Sequence, residues 1–241
     1  MSMLRRVSIA AAGLALLPGA AHALPLVDVE AGARYWQANP SGDVAYKGDA
    51  FVVADNLGFD KEWTPNLYAR AALPFITVDA EYTKLDFDGK AEKSGEWGGQ
   101  TFSTGVNSSL EARLLHAGAM FNVPLPIIDV GLGLGATQIQ ADAKVQTAVS
   151  EQEGTTDVTL PVAKGELRVD VPLLPLTAGV RGQYIGFQGD GFRDVTAEVG
   201  YELGLVQIRG GYRQIKMKYD GDDLDVDTGF SGPFAGVHVA F

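Results

Sequence analysis

Acids and bases stand at alternate positions through much of this 241-residue sequence, and the alternation gives them a chemical meaning. Lys164, Glu166, Arg168 and Asp170 share one face of an extended chain, with Leu167 and Val169 on the other. The same period of two gathers Asp28, Glu30, Asp79, Glu81, Glu111, Asp129, Asp194, Glu198 and Glu202 onto equivalent faces. Arg34, Arg70, Arg113, Arg181, Arg209 and Arg213 fall there as well, making eleven acids against eight bases. Charges withdrawn from water persist only when paired and hydrogen-bonded, so these residues predict an interleaved ionic network. Such a network is either a structural plug or a narrow, gated path for a small polar solute. Arg168, with opposite charges on both sides, is expected to be one of its supports.

Other chemistry is thin. There is no cysteine, which removes thiol catalysis, thiolate metal sites and a disulfide framework. Asp220, Asp222, Asp223, Asp225 and Asp227 crowd one loop with Gly221, a composition that suits hard divalent cations. The spacing and terminal Glu of an EF-hand are missing, and a solvated acidic loop is the plainer reading. The histidines are His22, His116 and His238. The pair Gly210–Gly211 reads as a bend in a strand, with a close approach as the other reading.

The elements that must position these residues are strands. Val27, Val29, Ala31, Ala33 and Tyr35 alternate with polar partners, as do Leu67 to Leu73, Val78 to Tyr82 and Ile128 to Ala136. Further alternating runs cover 163–171, 176–184, 195–203 and 206–213, and the last strand reaches Phe241 with Val239, Val237 and Ala235 on the aromatic's side. Leu114–Leu115 interrupts the alternation within 110–123, where a bulge is expected. Turns at Pro74, Pro124–Pro126, Pro172–Pro175 and Gly204 are short, and the intervening loops are long and polar. Strands with one apolar face, short turns at one end and long loops at the other describe an all-β fold. We expect a closed antiparallel transmembrane β-barrel of about ten strands (eight to twelve fit the pattern), with periplasmic turns and extracellular loops. A secreted β-sandwich also alternates, but these polar faces carry too much charge for a sandwich core. The apolar island within Phe51–Asp60 is expected at the mouth, as a lid or a rim cap.

Residues 1–23 read as a cleaved signal peptide: Arg5 and Arg6, an apolar run from Val7 to Leu17, and Ala21-His22-Ala23 as the cleavage site. The barrel then occupies 24–241. Loss of Arg5 and Arg6 takes the formal charge from −11 to −13, a poor balance for nucleic acid. The expected location is the bacterial outer membrane. Expected partners are its lipid and lipopolysaccharide, divalent cations at the acidic loop, and the barrel-assembly machinery, for which Phe241 is the signal.

The mature chain resembles a Gram-negative outer-membrane barrel family of uncertain function marked by a C-terminal Gly-Gly pair. The residues that carry the resemblance are Arg34-Tyr35-Trp36-Gln37, Asp55 to Asp60, the Pro-rich turns and Ile208-Arg209-Gly210-Gly211-Tyr212-Arg213. The resemblance implies fold and location and brings no catalytic residues or cofactor. The expected role is an envelope barrel or a porin-like passage for a small solute, and not an enzyme. A hydrolase of the omptin or lipid A deacylase kind needs His beside a carboxylate or Ser at the outer rim, and neither mature His is placed there. An adhesin using the acidic loops is the other rival.

Overall fold

The computed structural model describes residues 27–46, 49–52, 57–91, 95–97, 100–102, 106–125, 127–146, 151–187, 190–220 and 224–241. The proposed signal peptide therefore lies outside the described residues. In chain order the strands are β1 (Asp28–Tyr46), β2 (Asp49–Val52), β3 (Glu62–Ala72), β4 (Ile76–Ala91), β5 (Gly95–Trp97), β6 (Gln100–Phe102) and β7 (Val106–Pro124). They continue as β8 (Ile128–Gln146), β9 (Glu151–Asp170), β10 (Leu176–Phe187), β11 (Asp190–Leu203), β12 (Val206–Asp220) and β13 (Leu224–Ala240). Ten of them, all but β2, β5 and β6, pair antiparallel with their neighbours, and β13 pairs with β1 to close a barrel. Closure runs from Glu30 opposite Ala240 to Tyr46 opposite Leu224. It satisfies the backbone groups that an open edge would leave bare in lipid. The short extra strands belong to the loop side: β2 folds back on the top of β1, and β5 pairs with β6.

The outer face explains why this sequence needs lipid. Val29, Leu67, Val78, Leu132, Leu134, Leu167, Val199, Ile208 and Val237 all point outward and are exposed. An apolar girdle of this extent is a liability in water and an asset in a bilayer. Aromatics mark both edges. Tyr35, Trp63, Tyr184 and Tyr212 lie toward the loops, and Phe75, Phe121, Tyr201 and Phe241 toward the short turns. Tyr35 stacks on Trp63, and Phe75 on Phe121.

Above the loop-side aromatics the two faces exchange character while the strands keep their phase. On β4, Val78, Ala80 and Tyr82 face out, followed on the same face by Lys84, Asp86 and Asp88. The inward series runs Thr77, Asp79, Glu81 and Thr83, then Leu85 and Phe87, both fully buried. β12 repeats this, with Arg209 and Arg213 giving way inside to Ile215 while Tyr212 gives way outside to Lys216. The wall thus rises out of the membrane as a water-facing cylinder with an apolar filling.

That exchange corrects two readings of β7. Its register runs without interruption, Tyr82 opposite Leu115 and Thr83 opposite Leu114, so there is no bulge at the leucine doublet. Leu114 is buried inside and Leu115 is exposed outside because the exchange happens between them. Glu111 and Arg113, expected in the lumen, instead face outward above the membrane with Lys84. Parity read from apolar-outward residues holds only at the height of the lipid.

Candidate functional site in the lumen

The lumen has two storeys. The lower one, toward the short turns, holds six carboxylates (Glu30, Asp79, Glu81, Glu166, Asp194, Glu198) and six cations (Arg34, Arg70, Lys164, Arg181, Arg209, Arg213). Each strand delivers its charges through inward positions two apart, which is why neighbouring rungs interlock.

Arg213 is the hinge of the network. Its Nε and Nη2 donate to both oxygens of Asp194 at 3.0 and 2.7 Å, and Nη1 donates to Thr83 Oγ1 at 2.8 Å. The same Nη1 lies 2.9 Å from Glu81, and the guanidinium sits over the Trp36 ring. Glu81 also receives Arg181 at 3.1 Å and Asn66 at 2.9 Å. Arg209 joins Glu30 at 2.6 Å to Glu198 at 3.0 Å, and Arg34 reaches Glu198 at 3.3 Å. Lys164 holds Asp79 at 2.5 Å, and Arg70 holds Glu166 at 2.5 Å.

Both described histidines are built into this storey. His238 Nε2 accepts from Arg34 Nε at 3.1 Å, so its proton is on Nδ1, which donates to Glu30 Oε1 at 2.7 Å. Gly32 makes the room, since a Cβ there would stand 2.5 Å from the imidazole. His116 passes a one-way chain of hydrogen bonds: Nδ1 donates to Thr137, whose hydroxyl donates to Gln183, whose amide donates to Asp194. That leaves the Nε2 lone pair of His116 without a partner, 3.8 Å from Asp79. Beside it is a cavity of about 30 Å³ lined also by Lys164, Arg181 and Asp194. A second, of about 20 Å³, lies between Arg70, Arg168 and Arg209. Polar spaces of this size suit single waters.

The other charges assigned to the network from sequence stand elsewhere. Asp28 and Asp170 are exposed at the turn-side mouth, with Asp129 and Glu202 half-buried. Arg168 is there too, reaching Asp170 at 3.4 Å and Glu202 at 3.8 Å. It is a rim residue, two positions before its strand ends at Asp170. Gly211 marks a close approach, the second of the two readings of the Gly-Gly pair. A Cβ there would fall 2.1 Å from the Ala197 carbonyl and 2.9 Å from the Phe234 ring.

The upper storey was missed by sequence reasoning. Trp36, Leu85, Phe87, Ala112, Leu114, Ile139, Val162, Phe192, Ile215, Phe230 and Phe234 form one buried apolar cluster across the bore. Phe87 stacks on Phe230 with centroids 5.4 Å apart. Arg34 and Arg213 meet the lowest rings of the cluster, Phe234 and Trp36, through cation–π contacts. Of the Phe51–Asp60 segment, residues 51–52 and Leu57–Asp60 are described, and Leu57 and Phe59 pack on the cluster. Phe59 is buried against Phe87 and bridges to Gly89, and Ser108 donates a short hydrogen bond to the Leu57 carbonyl. A signal was present in the sequence: apolar residues an odd number apart, such as Tyr82 and Leu85 or Tyr212 and Ile215.

The acidic loop stays largely outside the described residues, Asp222 and Asp223 entirely. Asp220 pairs with Asp225 through the backbone, and Asp227 is exposed. Phe241 exchanges backbone hydrogen bonds with Val29 at the turn-side edge.

No family model matches this chain, and no curated protein does. Solved structures do. The fold is similar to that of the outer-membrane protease OmpT from Escherichia coli, with a TM-score of 0.59 and 9% identity over 90% of this chain and 97% of that one. Neisserial surface protein A (TM-score 0.36, 13% identity, 89% and 97% covered) and the Yersinia pestis attachment protein Ail (0.41, 13%, 89% and 98%) also match. At such identity the likeness to OmpT is one of fold alone. This chain has the fold of an integral outer-membrane β-barrel.

Proposed function

We propose that this chain is a closed, non-conducting barrel of the outer membrane, serving the envelope through its wall and outer surface. The observation that carries the reading is the apolar storey. Trp36, Phe87, Phe192, Leu85 and Ile215 are fully buried across the bore, above a balanced ionic storey. A polar solute crossing the lumen would have to break paired buried charges and then shed its own hydration against apolar rings. Both steps are costly. The porin-like alternative is therefore the weaker one.

The same reading takes residues 1–23 as the export signal. It takes Phe241, in the turn-side girdle, as a contact for the assembly machinery, and the Gly-Gly family resemblance as the chain's kinship. His116 and His238 have a structural part, holding carboxylates and hydroxyls in register.

Liposome swelling tests this. Proteoliposomes of the folded barrel should swell no faster than protein-free vesicles in isotonic glycine, arabinose or glycerol phosphate. Swelling that depends on solute size would establish a path through the lumen and defeat the reading.

A further inference from the structure

At the loop-side edge of the apolar belt, the first charged outward residue is basic on β4 (Lys84), β7 (Arg113), β11 (Arg193) and β12 (Lys216). The corresponding residue is acidic on β1 (Asp43), β8 (Asp142), β9 (Asp157) and β13 (Asp227), so the four cations are one part of a mixed girdle. Two of the four are neutralised locally. Lys84 stands 2.9 Å from Asp86 and 3.7 Å from Glu111, and Glu111 also holds Arg113.

Arg193 and Lys216 differ. They are direct cross-strand partners, both exposed on the outer face, and like charges placed opposite each other repel. Arg193 donates to Gln214 Oε1 at 3.1 Å, and among the described residues no acid forms an ion pair with either cation. Lys218 adds a third positive charge one outward step higher, with Asp227 opposite it on β13. Tyr184 is Arg193's partner on β10, and Tyr212 lies two outward steps below Lys216, both rings exposed.

We propose that Arg193 and Lys216 form a binding site for the phosphate-bearing head group of an outer-leaflet lipid. Interfacial tyrosines fix the height, since such rings settle among the head groups. Cations beside and just above them are then level with lipid phosphates. A guanidinium can take two phosphate oxygens at once while the ammonium supplies a point charge. One bound phosphate turns the repulsion of the rung into a bridge. The site is one-sided: at the turn-side edge the outward residues are Phe75, Leu125, Leu173, Leu205 and Phe241, all apolar. A bilayer whose outer leaflet carries the phosphorylated lipid would need that asymmetry. The inference rests on the membrane-embedded reading and adds to it the residues and the ligand chemistry.

The test uses the full mature barrel and bisphosphorylated lipid A. Native mass spectrometry from neutral detergent should show wild-type protein retaining lipid A. The Arg193→Gln/Lys216→Gln variant should lose about tenfold or more in apparent affinity, as expected for two removed charges at a lipid surface. Arg193→Lys should keep most of it, and lipid A stripped of phosphate should bind neither protein. The variant's fold is checked by heat-modifiable gel migration, which these outward substitutions should leave unchanged. Equal retention by wild type and the double variant would overturn the site. So would displacement of lipid A by comparable inorganic phosphate, which would mark a free-ion site. Failure of wild-type protein to enter phosphatidylcholine nanodiscs as a heat-modifiable barrel would overturn the membrane reading and this site with it, and that measurement needs no lipid A.

Discussion

Arg213 and Arg168 carry the same charge in the same lumen, yet their surroundings predict very different consequences of losing them. Arg213 is buried and holds both oxygens of Asp194 together with Glu81. Arg213→Ala takes from Asp194 its ion partner in a place water reaches poorly, while Glu81 keeps Arg181, a loss of typically ~3–5 kcal/mol. Arg168 stands at the mouth with partners at 3.4 and 3.8 Å, so Arg168→Ala should cost no more than ~1 kcal/mol. Urea unfolding of the two variants in lipid vesicles, followed by tryptophan emission, measures both. Comparable destabilisation would mean that the charges do not act through the pairings seen here. Gly32 offers a steric counterpart. Gly32→Val pushes a side chain into the His238 ring and should destabilise by a similar amount while leaving every charge in place.

Between the strands, the informative feature is the height at which inside and outside exchange polarity. Outside 110–123 the sequence displayed the lower halves of the strands plainly, because lipid outside and charge inside make the strongest alternation a barrel can have. Strand count, closure and turn-side geometry were legible for that reason, and so were Glu30, Arg34, Glu81, Arg209 and Arg213 as lumen residues. The upper half was misread because the rule that assigned faces assumed lipid along the whole strand. Leu114–Leu115 looked like a fault in the pattern and is the exchange itself. The packing of Phe59 follows from this second apolar filling: it can seat itself only because Phe87 and Phe230 already form an apolar floor. Phe59→Asp should loosen the segment without unfolding the wall. Hydrogen exchange should rise in residues 57–60 and at Gly89 and stay unchanged in the lower halves of β12 and β13. A rise spread over the whole barrel would show that the segment stabilises the wall, not merely the mouth. At the closing seam, Phe241→Asp puts a charge into the turn-side girdle beside Val29 and should reduce the yield of heat-modifiable barrel from membranes. An unchanged yield would leave Phe241 no part in assembly.

As a whole molecule the proposed closed barrel is sealed twice by unlike materials, salt bridges below and aromatic packing above. Each seal alone should suffice. Water admitted by Arg213→Ala meets Trp36 and Phe87, and space opened by Phe87→Ala still ends on the Arg34–Glu198 and Arg213–Asp194 pairs. Planar-bilayer recording tests the double seal most directly. Wild-type protein should give no steady conductance, Arg213→Ala and Phe87→Ala should give brief events at most, and the double variant should give sustained opening. A large, stable conductance from wild-type protein, or a fully open channel from Arg213→Ala alone, would contradict the account.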